Sequence, residues 1–109
     1  MSDKAEVKVL HLTLKKKWFD LIASGEKKEE YRNVNDYWIR RLNKNGRADD
    51  DEFRDFDLIK FRNGYAKNAP TITIELIEID IAGGKTEWGA IAGEQYYVLK
   101  LGAIRPTTP

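Results

Sequence analysis

The segment Thr71–Ile81 holds two apolar phases within one strand-like run: Ile72, Ile74 and Leu76 share one parity, and Ile77, Ile79 and Ile81 share the other. Side chains alternate between the faces of a strand. A slip of one residue therefore sends the second set to the opposite face unless the strand bulges or bends. Such a bend is what a small sheet needs to curl into a barrel in which one strand serves two corners. With 109 residues the chain has room for one domain and one modest core. The segment thus predicts a curled sheet built around a single long strand.

The other elements follow from periodicity. Val7–Leu14 is β-branched and Leu-rich and predicts a strand. From Lys15 to Ser24 the period changes: Leu14, Trp18, Leu21 and Ile22 fall at helical spacing, and Gly25 supplies the stop. Lys15, Lys16 and Lys17 occupy the first turn, where cations oppose the helix dipole. Thr13 is expected to cap this helix. Glu26–Arg32 reads as a weakly apolar strand, and Asn33 or Asn35 can cap a second helix whose apolar face is Trp38, Ile39 and Leu42. Asn43–Asp55 reads as irregular. Leu58–Arg62 is a half-exposed strand, Asn63-Gly64 a turn signal, Thr86–Gly93 a connection carrying Trp88, and Tyr96–Ile104 a final strand. The order β-α-β-(α)-β-β-β predicts an α+β fold, a small mixed β-barrel with one helix packed across it and a short second helix. One domain spans 1–109, with a core of about 7–104 and a tail, Arg105 to Pro109, whose prolines cannot donate to a sheet.

Composition narrows the function classes. The chain has no cysteine and one histidine, which leaves no disulfide framework, thiolate zinc site or cysteine nucleophile. No apolar run approaches the roughly 18 residues of a membrane span, and the start MSDKAEVK lacks a signal-peptide core. A soluble cytoplasmic protein with no membrane partner is expected. The carboxylates outside Asp49–Glu52 lack ligand spacing and that run has no companion signature, so no metal and no cofactor is expected. Net charge is +1, yet residues 1–48 hold 12 Lys/Arg against 7 Asp/Glu while residues 49–109 hold 7 against 11. A nucleic-acid partner would therefore be held locally, by the first half. The run Asp49–Glu52 would repel phosphate and reads as a solvated loop tip.

One segment concentrates polar chemistry. Gly25-Glu26-Lys27-Lys28-Glu29-Glu30-Tyr31-Arg32 follows the first helix directly. On an extended chain Glu30 and Arg32 point the same way, and Lys27 sits near the turn and can swing to either face. Together they offer an anion site and an acceptor for a base N–H. Alternating charges on an exposed edge strand are also common, so spacing alone leaves a site and a solvated edge both open.

Gly25, Lys27, Glu30 and Arg32 match a G-x-K-x-x-E-x-R signature, and in this the chain resembles the ASCH domain family of the PUA-like superfamily. The likeness extends to the preceding strand Val9–Leu14, the helix with Trp18, Phe19 and Ile22, the pair Leu58–Arg62 and Ile72–Ile79, and the last strand Tyr97–Leu101. It implies a PUA-like β-barrel with a helix across it and a cleft between them lined by the signature residues. It also implies RNA or modified-base recognition, with Gly25 as the turn, Lys27 and Arg32 on phosphate or a base carbonyl, and Glu30 accepting a base N–H or holding Arg32. One branch of the family hydrolyses acetylated cytidine with a lysine, a threonine and a separate glutamate. Here Lys27 keeps the lysine, Glu30 stands where that branch has threonine, and the short link Ala82–Gln95 holds no counterpart of its glutamate-bearing insertion.

Two functional expectations result. The first is an RNA- or nucleotide-binding module whose ligand residues are Gly25, Lys27, Glu30, Arg32, Arg62, Asn63 and Tyr65. Tyr65, in the loop after Asn63-Gly64, is favoured over Tyr37 and Trp38 for stacking on a base. The absence of a complete catalytic set favours this over an enzyme. The alternative is a hydrolase of a modified nucleoside or of RNA phosphodiesters, with Lys27 and Glu30 as its catalytic groups. Trp18 reads as core, Trp88 as a plug for the barrel end, and His11 as a hydrogen-bonded structural residue.

Overall fold

A computed structural model describes residues 6–106. The first five residues and the tail residues Thr107 to Pro109 lie outside the described residues. The elements are β1 (Val9–Leu14), α1 (Lys16–Ala23), β2 (Glu29–Asn33), α2 (Asp36–Leu42), β3 (Leu58–Asn63), β4 (Thr71–Ala82), a single 3-10 turn (Thr86–Trp88) and β5 (Tyr96–Arg105). The fold is α+β: one curled five-stranded mixed sheet, a half-barrel, with two helices. Strand order is β1-β3-β4-β5-β2; β1 runs parallel to β3 and every other neighbour is antiparallel. β1 and β2 are therefore the two edges. β5 extends to Arg105, which pairs with Glu75, so the tail begins only at Pro106.

β4 produces the curl. Its residues 71–75 pair with β3 on one side and its residues 73–82 with β5 on the other, and the β5 ladder has register shifts between Ile74 and Leu76 and between Leu76 and Glu78. These bulges are the irregularity that the alternation slip predicts. They extrude Ile77, which is 65% exposed and lies over Gly102, and return Ile79 and Ile81 to the same core as Ile72 and Leu76. The freed amide of Leu76 donates to the Asp57 carbonyl at 3.1 Å, so the irregularity leaves no orphan donor there.

The core gathers Leu10, Leu12 and Leu14 of β1, Phe19 and Ile22 of α1, Leu42 of α2, Ile59 and Phe61 of β3, Ile74 of β4, and Tyr97, Leu99 and Leu101 of β5. α1 lies on this core without help from its N-terminus. Lys15 is the N-cap residue, makes no side-chain cap bond, and no acid stands in the first turn. Thr13 is thus not the cap; it belongs to β1, two residues too early. Packing of Phe19 and Ile22 holds the helix against its unfavourable end charge. α2 is locally better supported. The Asn35 side chain accepts from the Trp38 amide at 3.0 Å, Asp36 stands in the first turn, and Arg40 and Arg41 stand in the last.

Three further expectations change. Asp50, within the acidic run, is no solvated tip: its carboxylate accepts from the amides of Arg47 and Asn45, which hold its pKa below the usual carboxylate range and tie the loop after α2. Trp88 is half-buried under the Lys85 ammonium, outside the core cluster, and plugs no barrel end. His11 is exposed on the outer face of β1, and its imidazole makes no hydrogen bond among the described residues.

The Tyr97 hydroxyl donates to Asn43 Oδ1 at 2.7 Å, and Asn43 Nδ2 donates to the Arg47 carbonyl at 2.7 Å, joining sheet, helix end and loop. Tyr97→Phe leaves the buried Asn43 oxygen without its donor. Urea unfolding should show a loss of about 1–3 kcal/mol.

Candidate functional site

The end of α1 fixes the backbone of the site. Gly25 takes φ +85° and its amide bonds the Ile22 carbonyl, while the Lys27 amide bonds the Leu21 carbonyl at 3.0 Å. This left-handed turn aims the Lys27 side chain inward. β2 then alternates, and Glu30, paired with buried Leu99, faces the same interior as Lys27.

The three charged heads form one connected row. Lys27 Nζ donates to Glu30 Oε1 at 2.7 Å and to the Glu29 carbonyl at 2.5 Å. Arg32 Nε and Nη2 donate to Glu30 Oε2 at 3.1 and 2.8 Å. Arg32 Nη2 also donates to the Thr13 carbonyl at 3.2 Å. Thr13 lies on β1 and Arg32 on β2, so this bond joins the two edges of the half-barrel. Side-chain exposure rises along the row, from 1% at Lys27 through 9% at Glu30 to 18% at Arg32.

Aromatic rings close the row at both ends. Lys27 Nζ lies 5.6 Å from the Trp18 ring centroid and 5.3 Å from that of Tyr31, and the Arg32 guanidinium lies 5.2 Å from the Trp38 ring. Burial pushes the Lys27 ammonium below the ordinary lysine value, and the Glu30 carboxylate pulls against that shift. The β4–β5 connection lies over the Lys27 end. A Cβ on Gly84 would fall 2.7 Å from Tyr31 Cζ, and one on Gly89 would fall 3.0 Å from the Trp18 ring. Both glycines thus let the backbone approach the rings that flank Lys27. The Tyr31 hydroxyl completes the latch, donating to Glu29 Oε1 at 2.7 Å and accepting from the Lys85 amide at 2.9 Å.

The seven residues singled out in the sequence fall into two groups. Gly25, Lys27, Glu30 and Arg32 make the row and its turn. Arg62, Asn63 and Tyr65 sit at the end of β3, where Thr13 is registered opposite Arg62 and Leu14 opposite Asn63. The Arg62 Nε donates to the Gly64 carbonyl at 3.1 Å and its Nη2 to the Ala66 carbonyl, bracing the loop that carries Tyr65. Tyr65 is 87% exposed. A separate cavity of about 170 Å³ has Ile22, Gly25, Lys27, Lys28 and the end of β5 in its wall, and neither Glu30 nor Arg32 lines it. No group of three or more His, Asp or Glu among the described residues is arranged to hold a metal.

Sequence reasoning missed the Thr13 carbonyl, the pairing of Trp18 with Lys27, and the Tyr31 latch. A backbone acceptor leaves no mark in residue type. The adjacent glycines Gly83 and Gly84 were the available signal for the latch, since close backbone approach is one reason for glycine outside a turn. Set beside known proteins, the chain matches no protein-family model and no curated sequence. No helix among the described residues is long and apolar enough to cross a membrane.

Two outcomes test the row. Glu30→Ala removes the one carboxylate shared by buried Lys27 and half-buried Arg32, and urea unfolding should show a loss of about 3–5 kcal/mol. Tyr31 is pushed up to about 12, first by burial and then by the Glu29 hydrogen bond, with the Lys85 amide opposing. Its folded value exceeds the ordinary value of 10.0, so the unfolded chain releases this proton first. The stabilisation from neutral Tyr31 is complete below pH 10 and is lost as pH climbs to about 12. Tyr31→Phe should flatten that alkaline fall and remove the latest phase from an ultraviolet tyrosine titration.

Proposed function

We propose that the chain is an RNA- or nucleotide-binding module of the ASCH type, with its ligand seated at the Arg32 end of the ion row. The observation that carries this is the state of Arg32. Glu30 and the Thr13 carbonyl fix the guanidinium on one side, and Trp38 lies against it. Among the described residues its Nη1 makes no hydrogen bond, so two N–H groups of a pre-oriented fork remain for an anion or a base carbonyl. A planar fork held in place suits phosphate, and an indole beside it suits a stacked base. The row carries two cations and one carboxylate, and its surplus positive charge is best placed to act where the side chains reach solvent. A PUA-like barrel is the finer fold that goes with this proposal; the curled mixed sheet with its edges bridged by Arg32 is compatible with it.

The depressed pKa of Lys27 favours a second reading, a hydrolase in which Lys27 and Glu30 are the catalytic groups. Substrate would then have to reach side chains that are 1% and 9% exposed and already bonded to each other. Binding therefore leads.

Trp38→Ala should raise the Kd for short single-stranded RNA about 5- to 150-fold, the equivalent of a stacking contact of roughly 1–3 kcal/mol. Arg32→Lys, which keeps the charge and loses the fork, should also weaken binding. Circular dichroism of each variant checks that the fold is kept. Unchanged affinity in both variants overturns the proposal. Turnover of acetylated cytidine or RNA that disappears in Glu30→Gln replaces it with the hydrolase.

A further inference from the structure

The outer face of the β1–β3–β4 ribbon carries a second concentration of positive charge. A groove of about 330 Å³ is lined by His11, Leu12, Thr13, Lys60, Arg62 and Thr71. Register arranges the outward residues in two ranks across the three strands, Thr13–Arg62–Thr71 and His11–Lys60–Thr73. Inward neighbours Leu12, Phe61 and Ile72 go to the core. Ranks two residues apart on a strand are separated by about 6.6 Å, and neighbouring strands by about 4.8 Å. Neither rank contains a carboxylate. Lys60 is exposed and makes no ion pair among the described residues. Arg62 is pre-oriented by the Gly64 and Ala66 carbonyls, and among the described residues its Nη1 makes no hydrogen bond. The loop it braces carries Tyr65, 87% exposed.

Thr13 joins this face to the ion row. Its carbonyl, at the free edge of β1, accepts from Arg32, and Thr13 also lines the groove beside Arg62. A chain leaving the Arg32–Trp38 end can cross one edge strand and meet two fixed or unpaired cations and two threonines.

We infer that the β1–β3–β4 face is a phosphate track for single-stranded RNA, continuing from the Arg32 site, with Lys60 and Arg62 on successive phosphates and Tyr65 stacking beyond them. The direction and extent of the track rest on the function proposed above; the groove itself does not. Two ranks of donors spaced along a strand fit the repeating anions of an extended backbone better than a single small anion. The absence of carboxylates there fits contact made without regard to sequence.

The test uses the full chain, fluorescein-labelled oligouridylates (a dinucleotide and one of about ten nucleotides), and anisotropy at about 50 and about 200 mM salt. Lys60→Ala should weaken the longer oligomer about fivefold at about 0.1 M salt and reduce its salt slope by about 0.7, the share of one phosphate on a single strand. The dinucleotide should be unaffected. Tyr65→Ala should likewise weaken only the longer oligomer. Lys100→Ala, on β5 and paired with Glu78, is the control for net charge and should leave the slope alone. An unchanged affinity and slope in Lys60→Ala overturns the track, as does an equal change in Lys100→Ala. If Trp38→Ala has no effect while Lys60→Ala reduces the slope, the Arg32 site fails and the track stands. If Trp38→Ala weakens both oligomers and Lys60→Ala neither, the reverse holds.

Discussion

A buried carboxylate shared between two cations sets the terms for the rest of this molecule. Glu30 is 9% exposed in its side chain, and removing such a charge from water costs several kcal/mol unless its oxygens are matched. Lys27 matches one and Arg32 the other. The consequence is topological as well as energetic. Lys27 is anchored by its amide to the end of α1, Glu30 and Arg32 belong to β2, and Arg32 reaches the Thr13 carbonyl on β1. Three elements that make no common β ladder are thereby held in one arrangement. A half-barrel with two edges leaves unpaired backbone groups on both. Here the guanidinium satisfies one of them and stitches the edges together, where a closed barrel would use a ladder.

The aromatic shell follows from the same electrostatics. Two cations and one anion leave a surplus positive charge in a poorly solvated place, and the faces of Trp18, Tyr31 and Trp38 are the available source of negative potential. The rings of Tyr31 and Trp18 are approached by the β4–β5 connection through Gly84 and Gly89. The bulges of β4 matter here. By resetting the strand so that Ile79 and Ile81 face the core, they fix where β4 ends and hence where the connection begins. A strand irregularity and a buried lysine are thus linked through one loop.

What the sequence disclosed, and what it hid, divides along physical lines. Elements were legible because each depends on local periodicity: β1, α1 with its stop at Gly25, β3, and the long β4 all lie close to where residue spacing puts them. The common face of Glu30 and Arg32 was legible for the same reason. The depth of Lys27 was hidden, since a residue beside a turn can point either way until the helix it follows has been docked. The destination of Ile79 and Ile81 was hidden because an alternation slip states that a strand is irregular without saying how many residues the irregularity absorbs. Thr13 misled most. Its hydroxyl near a helix start suggested a cap, whereas its carbonyl on an edge strand is the group that matters.

The outward ribbon and the inner row use the same residue types in opposite ways. Inside, two cations share one carboxylate, and geometry is bought at the expense of desolvation. Outside, Lys60 and Arg62 make no ion pair among the described residues, in a chain whose net charge is only +1. A uniformly basic surface would attract any polyanion at long range and release it in moderate salt. On the proposed track the basic strip is local: Asp57 precedes β3 at the other end of the ribbon, where Glu75 is registered opposite Leu58 and is paired with Arg105. Pre-orientation then supplies what total charge does not. Arg32 and Arg62 are both held by backbone carbonyls, so on the proposed track little side-chain freedom would remain to be lost on binding. Selectivity in such an arrangement lies in where the donors are fixed, and Thr13, touching one arginine through its carbonyl and flanking the other in the groove, is the point at which the two fixed donors are brought into register.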